Sequence, residues 1–294
     1  MLSSIAEDPK DIMALFHTKE LNASGCYLVY FYINGIKKPV IIDDFLPCKN
    51  NQPVFAHSRD SEVWVCLLEK AWAKLHGSYV ITEGGLPCFA SFHMTGVPSH
   101  SIRHEEVKDI EQFWQQPKSF DQRQFTMIAA SQGQGEVKDA SGVISGHAYS
   151  VIEIHEFTNN GRNVRLLKLR NPWGQGEWQG DWSDNSKLWT PELRKKVGCE
   201  VKDDGFFFIP LADYINYYSS TSICMEDAPE KYKHYNFYHS FSKDTSPKPQ
   251  AFFKITLSES IDLSKQCFAI SAIQQGDRLN SYRSVDEAKK FKPS

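Results

Sequence analysis

The chain has 294 residues, 41% hydrophobic and 13% aromatic, enough to build one large hydrophobic core or two to three small ones. Its 33 basic and 36 acidic residues give a formal net charge of −3, so no overall field attracts it to nucleic acid or to an anionic membrane. No stretch approaches the ~18 apolar residues of a membrane-spanning helix, so we expect no nucleic-acid partner and no integral membrane segment.

The first residues and the cysteines indicate the cellular compartment of the protein. Residues 1–8 contain no basic segment followed by a long apolar run, which predicts an intracellular, cytoplasmic protein without a signal peptide. The seven cysteines are odd in number, widely spaced and free of any C-x-x-C pair, which argues against a disulfide framework and a zinc site. We expect mostly free core thiols at Cys26, Cys48, Cys66, Cys88, Cys199, Cys224 and Cys267.

The first hundred residues predict a hairpin and a helix. The β-rich runs 26–33 and 39–45 flank Asn34-Gly35, a pair suited to a tight turn. From residue 61 to 75 apolar residues recur at helical spacing, with Asp60 or Ser61 as the expected N-cap and Gly77 as the stop. The segment 84–104 is rich in Gly, Pro and Ser, and we predict a domain boundary near residue 96.

The second part of the chain begins with a predicted helix at DIEQFW (109–114) and a polar, Gly-rich loop. Runs 147–157 and 163–170 then predict a hairpin around residues 159–161, followed by a tryptophan-rich loop. Thr190-Pro191 predicts the start of a short helix, GFFFIP (205–210) a strand, and LADYINYY (211–218) a helix.

The composition shifts after Cys224. A charged linker, MEDAPEKYKH (225–234), leads to the β-patterned runs AFFKITL and CFAISAI. A further domain of about 70 residues therefore begins near residue 225, which is few for a complete β-sandwich.

The second predicted hairpin brings two polar residues together at its open end. Antiparallel pairing about the turn places His147 beside roughly residues 172–174, and therefore near Asn171. An amide that accepts a hydrogen bond from one ring nitrogen fixes the imidazole, so the other nitrogen can take a proton from a thiol. This is the logic of a Cys-His-Asn peptidase. The alternative is that both residues only end strands and cap a loop, and a small register change or bulge would separate them.

Five sequence segments distinguish these interpretations. In chain order they are DDFLP (43–47), LLEKAWAKLHGSY (67–79), GHAYSV (146–151), LRNPWG (169–174) and EWQGDWSD (177–184). Together they resemble the calpain family of calcium-dependent cysteine endopeptidases over residues 1 to about 224. The resemblance implies limited intracellular proteolysis of protein substrates, with His147 as catalytic base and Asn171 as its orienting amide.

The same resemblance implies the architecture. We expect an α+β, papain-like protease core with an incomplete first half at 1–96 and a largely complete, β-rich second half at 97–224. The segment 225–294 would be a partial calpain-type β-sandwich.

The nucleophile of the family is expected outside this chain. Family members carry it in a segment like Gly-Asp-Cys-Trp-Phe-Leu, at the start of a helix that continues into residues similar to 3–6, which puts the cysteine just before Met1. None of the chain's cysteines has the flanking motif, and neither mid-helix Cys66 nor in-strand Cys26 has a helix N-terminus to activate it. We therefore expect an N-terminally truncated fragment that is inactive alone.

The resemblance also implies two calcium sites. Glu62 matches one ligand of a first site, whose other ligands would precede Met1. A second site would use Glu177, Asp184 and Asp204, with the backbone carbonyl of Lys202, since Ca²⁺ takes six to eight oxygen ligands. Phe206 stands where calcium-binding members carry an acidic residue, which weakens this expectation. The alternative is that these acids are solvated loop residues.

Two further features have competing interpretations. Trp173 matches the tryptophan that shields the His-Asn hydrogen bond in the family, whereas the sequence alone indicates a core anchor. His100 and His104 are four residues apart, but a third ligand is missing and Pro98 favours a loop, so we do not expect a metal site there.

Two other functions remain open: a non-catalytic calpain-like protein that responds to calcium or serves as a scaffold, and, with little support beyond composition, a carbohydrate- or peptide-binding β protein.

Overall fold

The computed structural model describes residues 2–6, 9–33, 35–58, 62–225 and 254–256. The predicted domain at 225–294 therefore lies almost wholly outside the described residues. Within them the chain mixes helices and antiparallel sheets, which confirms the α+β class. The α-helices are α1 (Leu2–Ile5), α2 (Pro9–Leu15), α3 (Trp64–His76), α4 (Pro87–Thr95), α5 (Ile110–Gln122), α6 (Pro191–Val197) and α7 (Leu211–Tyr217).

The strands form three sheets in the described part of the chain. The strands are β1 (Cys26–Ile33), β2 (Ile36–Asp43), β3 (Cys48–Lys49), β4 (Gln52–Pro53), β5 (Ser99–Arg103), β6 (Thr126–Ser131), β7 (Ala148–Asn159), β8 (Arg162–Arg170), β9 (Phe206–Pro210) and β10 (Tyr218–Cys224). Pairs β1-β2 and β3-β4 are separate, and the other six follow the order β5-β10-β6-β7-β8-β9. Short 3-10 helices lie at Val80–Thr82 and His104–Glu106.

The predicted first hairpin is confirmed. Ile33 pairs with Ile36, so the chain reverses direction between these two residues, and the second strand begins three residues earlier than expected. Every second side chain of β1 is buried, from Tyr27 to Ile33, as a half-covered strand requires. Of these, Tyr27, Val29 and Phe31 pack with α2, α3 and α4 in one hydrophobic cluster.

Helix α3 is present, but its predicted start is wrong. It begins at Trp64, after Val63, which provides no side-chain cap, while Asp60 and Ser61 lie outside the described residues. The predicted stop is confirmed, because Gly77 has φ 103°, a conformation that side chains other than glycine's rarely adopt. Leu67, Leu68 and Ala71 bury the predicted apolar face.

The segment after Gly96 was expected to be a loop, and that prediction is wrong. Residues 99–103 form edge strand β5, because they pair antiparallel with β10, whose residue Thr221 lies opposite Ile102. The predicted helix at 109–114 is confirmed and extends to Gln122, and the Asp109 side chain caps it by accepting from the backbone N–H groups of Glu111 and Gln112.

The second hairpin is confirmed in position and register. Asn159 pairs with Arg162, and both turn residues between them have positive φ, 49° at Asn160 and 75° at Gly161. A bulge between Val151 and Glu153 shifts the pairing by one residue. The predicted elements at 191, 205–210 and 211–218 are also present, as α6, β9 and α7.

Two hydrophobic clusters lie on either side of the predicted boundary near residue 96. One draws its buried residues from Ile5 to Met94, and the other from Phe113 to Ile223. Helix α1 nevertheless packs on β6 and β7, and the hydroxyls of Ser4 and Ser150 are 2.7 Å apart. In the described ranges, no helix is both long and apolar enough to cross a bilayer.

Candidate active site

The backbone of His147, which immediately precedes β7, is held by the neighbouring strand β6. The Ser131 hydroxyl accepts a hydrogen bond from the His147 N–H at 2.9 Å and donates to the Ile144 carbonyl at 2.6 Å. The Ser131 N–H donates to the His147 carbonyl at 2.9 Å. Because Ser131 and His147 are both buried, these bonds are shielded from water and define where the imidazole projects.

His147 and Asn171 meet as the strand pairing predicted. The imidazole Nε2 lies 3.0 Å from Asn171 Oδ1. The Asn171 Nδ2 group donates to the carbonyls of Gln175 at 2.7 Å and Gly176 at 3.1 Å, so its oxygen faces the histidine. An amide oxygen only accepts, and therefore Nε2 carries a hydrogen and donates it. Asn171 is 0% exposed, so nothing from solvent competes for this bond.

The other ring nitrogen of His147 has a partner that the sequence did not suggest. Nδ1 lies 2.7 Å from Oε1 of Glu136, on the polar loop between β6 and β7. The Glu136 side chain is 50% exposed, whereas that of His147 is 6% exposed. Glu136 is the site residue that the sequence analysis missed, because a single acid in a Gly-rich loop forms no recognisable pattern.

Aromatic rings flank the imidazole. The Trp173 ring centroid lies 4.6 Å from that of His147, and Tyr149 packs edge-on at 5.1 Å. Trp173 is 44% exposed, so it is not a core anchor, and its backbone N–H donates to Asn171 Oδ1 at 3.0 Å. Tyr149 is fully buried, and its hydroxyl accepts from the Ile144 N–H at 2.8 Å, while burial raises its pKa to about 12.

Glu177 connects the tryptophan-rich loop to the start of β9. Its Oε1 accepts from the backbone N–H groups of Asp204 at 3.0 Å and Gly205 at 2.8 Å. Burial, and secondarily the negative charge of Asp184, raise the pKa of the Glu177 carboxyl to about 7.

Asp184 lies in the same region and is also buried. Its Oδ2 accepts from the Lys202 N–H at 3.2 Å, and burial raises its pKa, with Asp204 and Asp203 adding to the shift. Glu177 and Asp184 are each only 7% exposed, so the interpretation of these acids as solvated loop residues is wrong for both, although Asp204 is exposed. Phe206 packs its ring near Arg170, 5.1 Å from the guanidinium carbon.

The donor chemistry here fits calcium in part. Burial disfavours the charged form of both carboxylates, and a bound divalent cation would favour it. Against this, the N–H of Lys202 faces Asp184, and among the described residues no three His, Cys, Asp or Glu side chains form a metal-binding group.

The remaining candidates lie elsewhere. Glu62 is exposed, and its Oε2 accepts from the indole N–H of Trp64 at 3.0 Å. His104 is buried between the Tyr218 carbonyl, 2.6 Å from Nδ1, and the Thr221 hydroxyl, 2.8 Å from Nε2, whereas His100 is exposed on β5. The imidazole of His104 is thus a structural hydrogen-bonding group.

Six cysteines lie in the described part of the chain and all are free thiols, while Cys267 lies outside it. The expectation of mostly buried thiols is wrong for Cys26 and Cys48, which are exposed. Burial raises the pKa of Cys66, Cys88 and Cys199, the last to about 11, which keeps these thiols protonated and unreactive. His147 has Asn171 and Glu136, and no described cysteine, at its ring nitrogens.

The fold and site therefore describe an α+β chain with an oriented imidazole–amide pair beside a tryptophan. A sequence profile of the calpain family cysteine proteases matches residues 1–225. "Calpain-type cysteine protease DEK1" of Arabidopsis thaliana is 37% identical over 217 residues, 70% of this chain and 10% of that protein. Human "Calpain-9" is 30% identical over 282 residues, 87% of this chain and 40% of the relative. "Calpain clp-4" of Caenorhabditis elegans is 33% identical over 210 residues, 69% of this chain and 29% of the relative.

The chain belongs to the calpain family of cysteine proteases, which confirms the predicted resemblance. It spans between a tenth and two fifths of the length of these three relatives.

Proposed function

We propose that this chain carries the base and the orienting amide of a calpain-type cysteine endopeptidase, with His147 and Asn171 in those roles. The observation that carries the proposal is the 3.0 Å contact between His147 Nε2 and Asn171 Oδ1. It fixes the tautomer that a Cys-His-Asn mechanism needs, and it lies in a member of the matching family.

In the proposed reaction, His147 moves protons at Nδ1. With Nε2 holding its hydrogen against Asn171, Nδ1 takes the proton of the nucleophilic thiol and the thiolate attacks the peptide carbonyl. His147 then gives the proton to the leaving amine, and a water molecule, deprotonated by His147, releases the acyl group. Asn171 keeps the ring oriented throughout, and Trp173 shields the His147–Asn171 hydrogen bond from water.

The thiol is proposed to come from outside the described residues, in a segment preceding Met1. Support comes from the partners of His147 and from the three buried or half-buried thiols with raised pKa. The chain would be inactive alone. It would contribute a partial first half of a papain-like core at 1–96, the second half at 97–224 and part of a β-sandwich at 225–294.

The test begins with the transcript upstream of Met1. An in-frame segment resembling Gly-Asp-Cys-Trp is expected, and the protein expressed with it, here called the extended protein, should hydrolyse a fluorogenic peptide. His147→Ala should lower kcat/KM roughly 10²–10⁴-fold, the usual contribution of general acid–base catalysis. An in-frame stop codon directly upstream, or full activity in His147→Ala, would contradict the proposal.

We infer further that calcium binds through Glu177, Asp184, Asp204 and the backbone carbonyl of Lys202, with Glu62 in a first site. Calcium would supply positive charge that neutralises the buried carboxylates. Support comes from the burial of Glu177 and Asp184 and from the raised pKa of each. Calorimetric titration of the 294-residue chain should give heat that Glu177→Gln abolishes. No heat at millimolar calcium would remove this role.

The substrates are proposed to be proteins in the cytoplasm, and neither nucleic acid nor a membrane is a proposed partner. The six free thiols of the described residues support an intracellular location, since reducing compartments preserve thiols. The formal net charge of −3 supports the exclusion of nucleic acid.

A second candidate is a non-catalytic calpain-like protein that responds to calcium or acts as a scaffold. Its specific support is the Glu136 carboxyl at the nitrogen of His147 that a thiol would need. An extended protein that binds calcium but hydrolyses no peptide would favour it.

A further inference from the structure

Glu136 contacts the proposed base without belonging to the Cys-His-Asn arrangement. The residues before and after Glu136 are both hydrogen-bonded to Ser145. The Ser145 hydroxyl donates to the Gly135 carbonyl at 2.7 Å, and the Ser145 N–H donates to the Val137 carbonyl at 2.9 Å. The bridge between Lys138 and Ile144 continues this pairing. The loop therefore presents the Glu136 side chain in a defined direction, toward Nδ1 of His147 at 2.7 Å.

The oxygen atoms at the two ring nitrogens of His147 determine where the hydrogens of the imidazole lie. Nε2 carries a hydrogen because it faces the acceptor oxygen of Asn171. A carboxylate oxygen also accepts only, so a hydrogen bond at Nδ1 requires a proton between Nδ1 and Oε1. Either the imidazole carries both hydrogens beside a carboxylate, or a carboxylic acid donates to the neutral ring.

In both cases the Nδ1 lone pair is occupied. A base must offer that lone pair to the proton it accepts. While Glu136 is in place, His147 therefore cannot take a proton from a thiol.

We propose that Glu136 is an autoinhibitory residue that competes with the nucleophilic thiol for Nδ1 of His147. This inference rests on the proposed function for its effect on catalysis, whereas the competition itself concerns only the imidazole. The half-exposed side chain of Glu136 can turn toward solvent, while buried His147 stays held by Ser131 and Asn171. Displacement of one carboxyl group would then free the base without moving the strands.

The contact is tested on the 294-residue chain with diethyl pyrocarbonate, which modifies an imidazole nitrogen that has a free lone pair. The rate at His147, followed by peptide mass spectrometry, should rise roughly tenfold in Glu136→Ala, the size expected for losing one hydrogen bond to a charged group. Exposed His57 serves as the internal reference, because its rate should not change. The matched control is Glu105→Gln, whose exposed side chain lies 3.8 Å from Arg103.

Near-ultraviolet circular dichroism should be the same for Glu136→Ala and the unmodified chain. Glu136→Met keeps the side-chain length but has no N–H or O–H group that could donate to Nδ1, so it should also react faster than the unmodified chain. An unchanged rate at His147 in both folded variants would overturn the proposal.

In the extended protein, Glu136→Ala should raise kcat/KM roughly tenfold, because the thiol no longer competes with a carboxyl group. A fall in kcat/KM would overturn the autoinhibitory role and indicate that Glu136 assists the reaction. The two proposals are tested by different experiments. Full activity of His147→Ala would contradict the proposed function, whereas the modification rates of His147 test the role of Glu136 independently of catalysis.

Discussion

Glu177 and Asn171 hydrogen-bond to the N–H and to the carbonyl, respectively, of the same residue, Gly205. Glu177 Oε1 accepts from the N–H of Gly205 at 2.8 Å, and the Gly205 carbonyl accepts from the N–H of Asn171 at 2.8 Å. A single residue, Gly205, thus links the proposed calcium ligand Glu177 to Asn171, the proposed orienting residue. This gives the two sites a direct physical connection through backbone hydrogen bonds.

Removing this carboxyl should loosen the loop that holds Asn171. Glu177→Ala leaves the N–H groups of Asp204 and Gly205 without their acceptor, and we expect a loss of about 1–3 kcal/mol in the free energy of unfolding. Amide hydrogen exchange at Gly205 should accelerate as well. Glu177→Gln keeps an acceptor oxygen and should lose less, whereas equal losses in both variants would contradict this connection.

Ser131 should be needed to place the proposed base. Ser131→Ala removes the partner of the His147 N–H inside the protein, so urea unfolding should show a loss of about 1–3 kcal/mol. The control is Ser219→Ala, since the Ser219 hydroxyl makes an exposed bond to the Ala130 carbonyl. Equal, small losses in the two variants would show that Ser131 does not hold His147.

The buried His104 should make stability depend on pH. Burial lowers the pKa of its imidazole from 6.5 to about 4, so below pH 6.5 the unfolded chain takes up a proton that the folded chain refuses. Its contribution is therefore fully present above pH 6.5 and is lost as the pH falls toward 4, by about 3 kcal/mol at most.

The measurement compares urea unfolding of the unmodified chain and His104→Gln between these two pH values. The variant should show a smaller decline in the free energy of unfolding than the unmodified chain. Parallel curves would mean that His104 stays accessible to protons in the folded state.

An ion-pair network should fasten α5 to the sheet. Arg165 donates to both carboxylate oxygens of Glu111 at 2.6 Å and to Glu156 at 2.9 Å, and its guanidinium lies over the Trp114 ring. Arg165→Met keeps the stem of the side chain but removes these bonds, and a loss of about 1–3 kcal/mol is expected. A change in the free energy of unfolding below about 0.5 kcal/mol would place this network among ordinary surface pairs.

The sequence predicted those features that depend on local pattern. Asn160-Gly161 located the turn of the second hairpin, and the turn set the register that brings His147 to Asn171. Strand β5 was not predictable in this way, because its partner, β10, is more than a hundred residues away.

The contact between Glu136 and His147 was not predictable from the sequence for a related reason. It depends on the conformation of a loop that is held by the hydrogen bond from the Ser145 hydroxyl to the Gly135 carbonyl. The loop sequence has no hydrophobic periodicity that would predict this hydrogen bond. The burial of Glu177 and Asp184 was missed because the composition of a polar loop indicates exposure, whereas tertiary packing decides it.

The most direct test of the central claim is the steady-state kinetics of Asn171→Ala in the extended protein. If Asn171 orients the base, kcat should fall roughly 10²-fold while KM changes little, because the loss falls on the transition state. If instead KM rises and kcat stays unchanged, Asn171 contributes only to substrate binding or loop structure, and the assignment of His147 and Asn171 as base and orienting amide is contradicted.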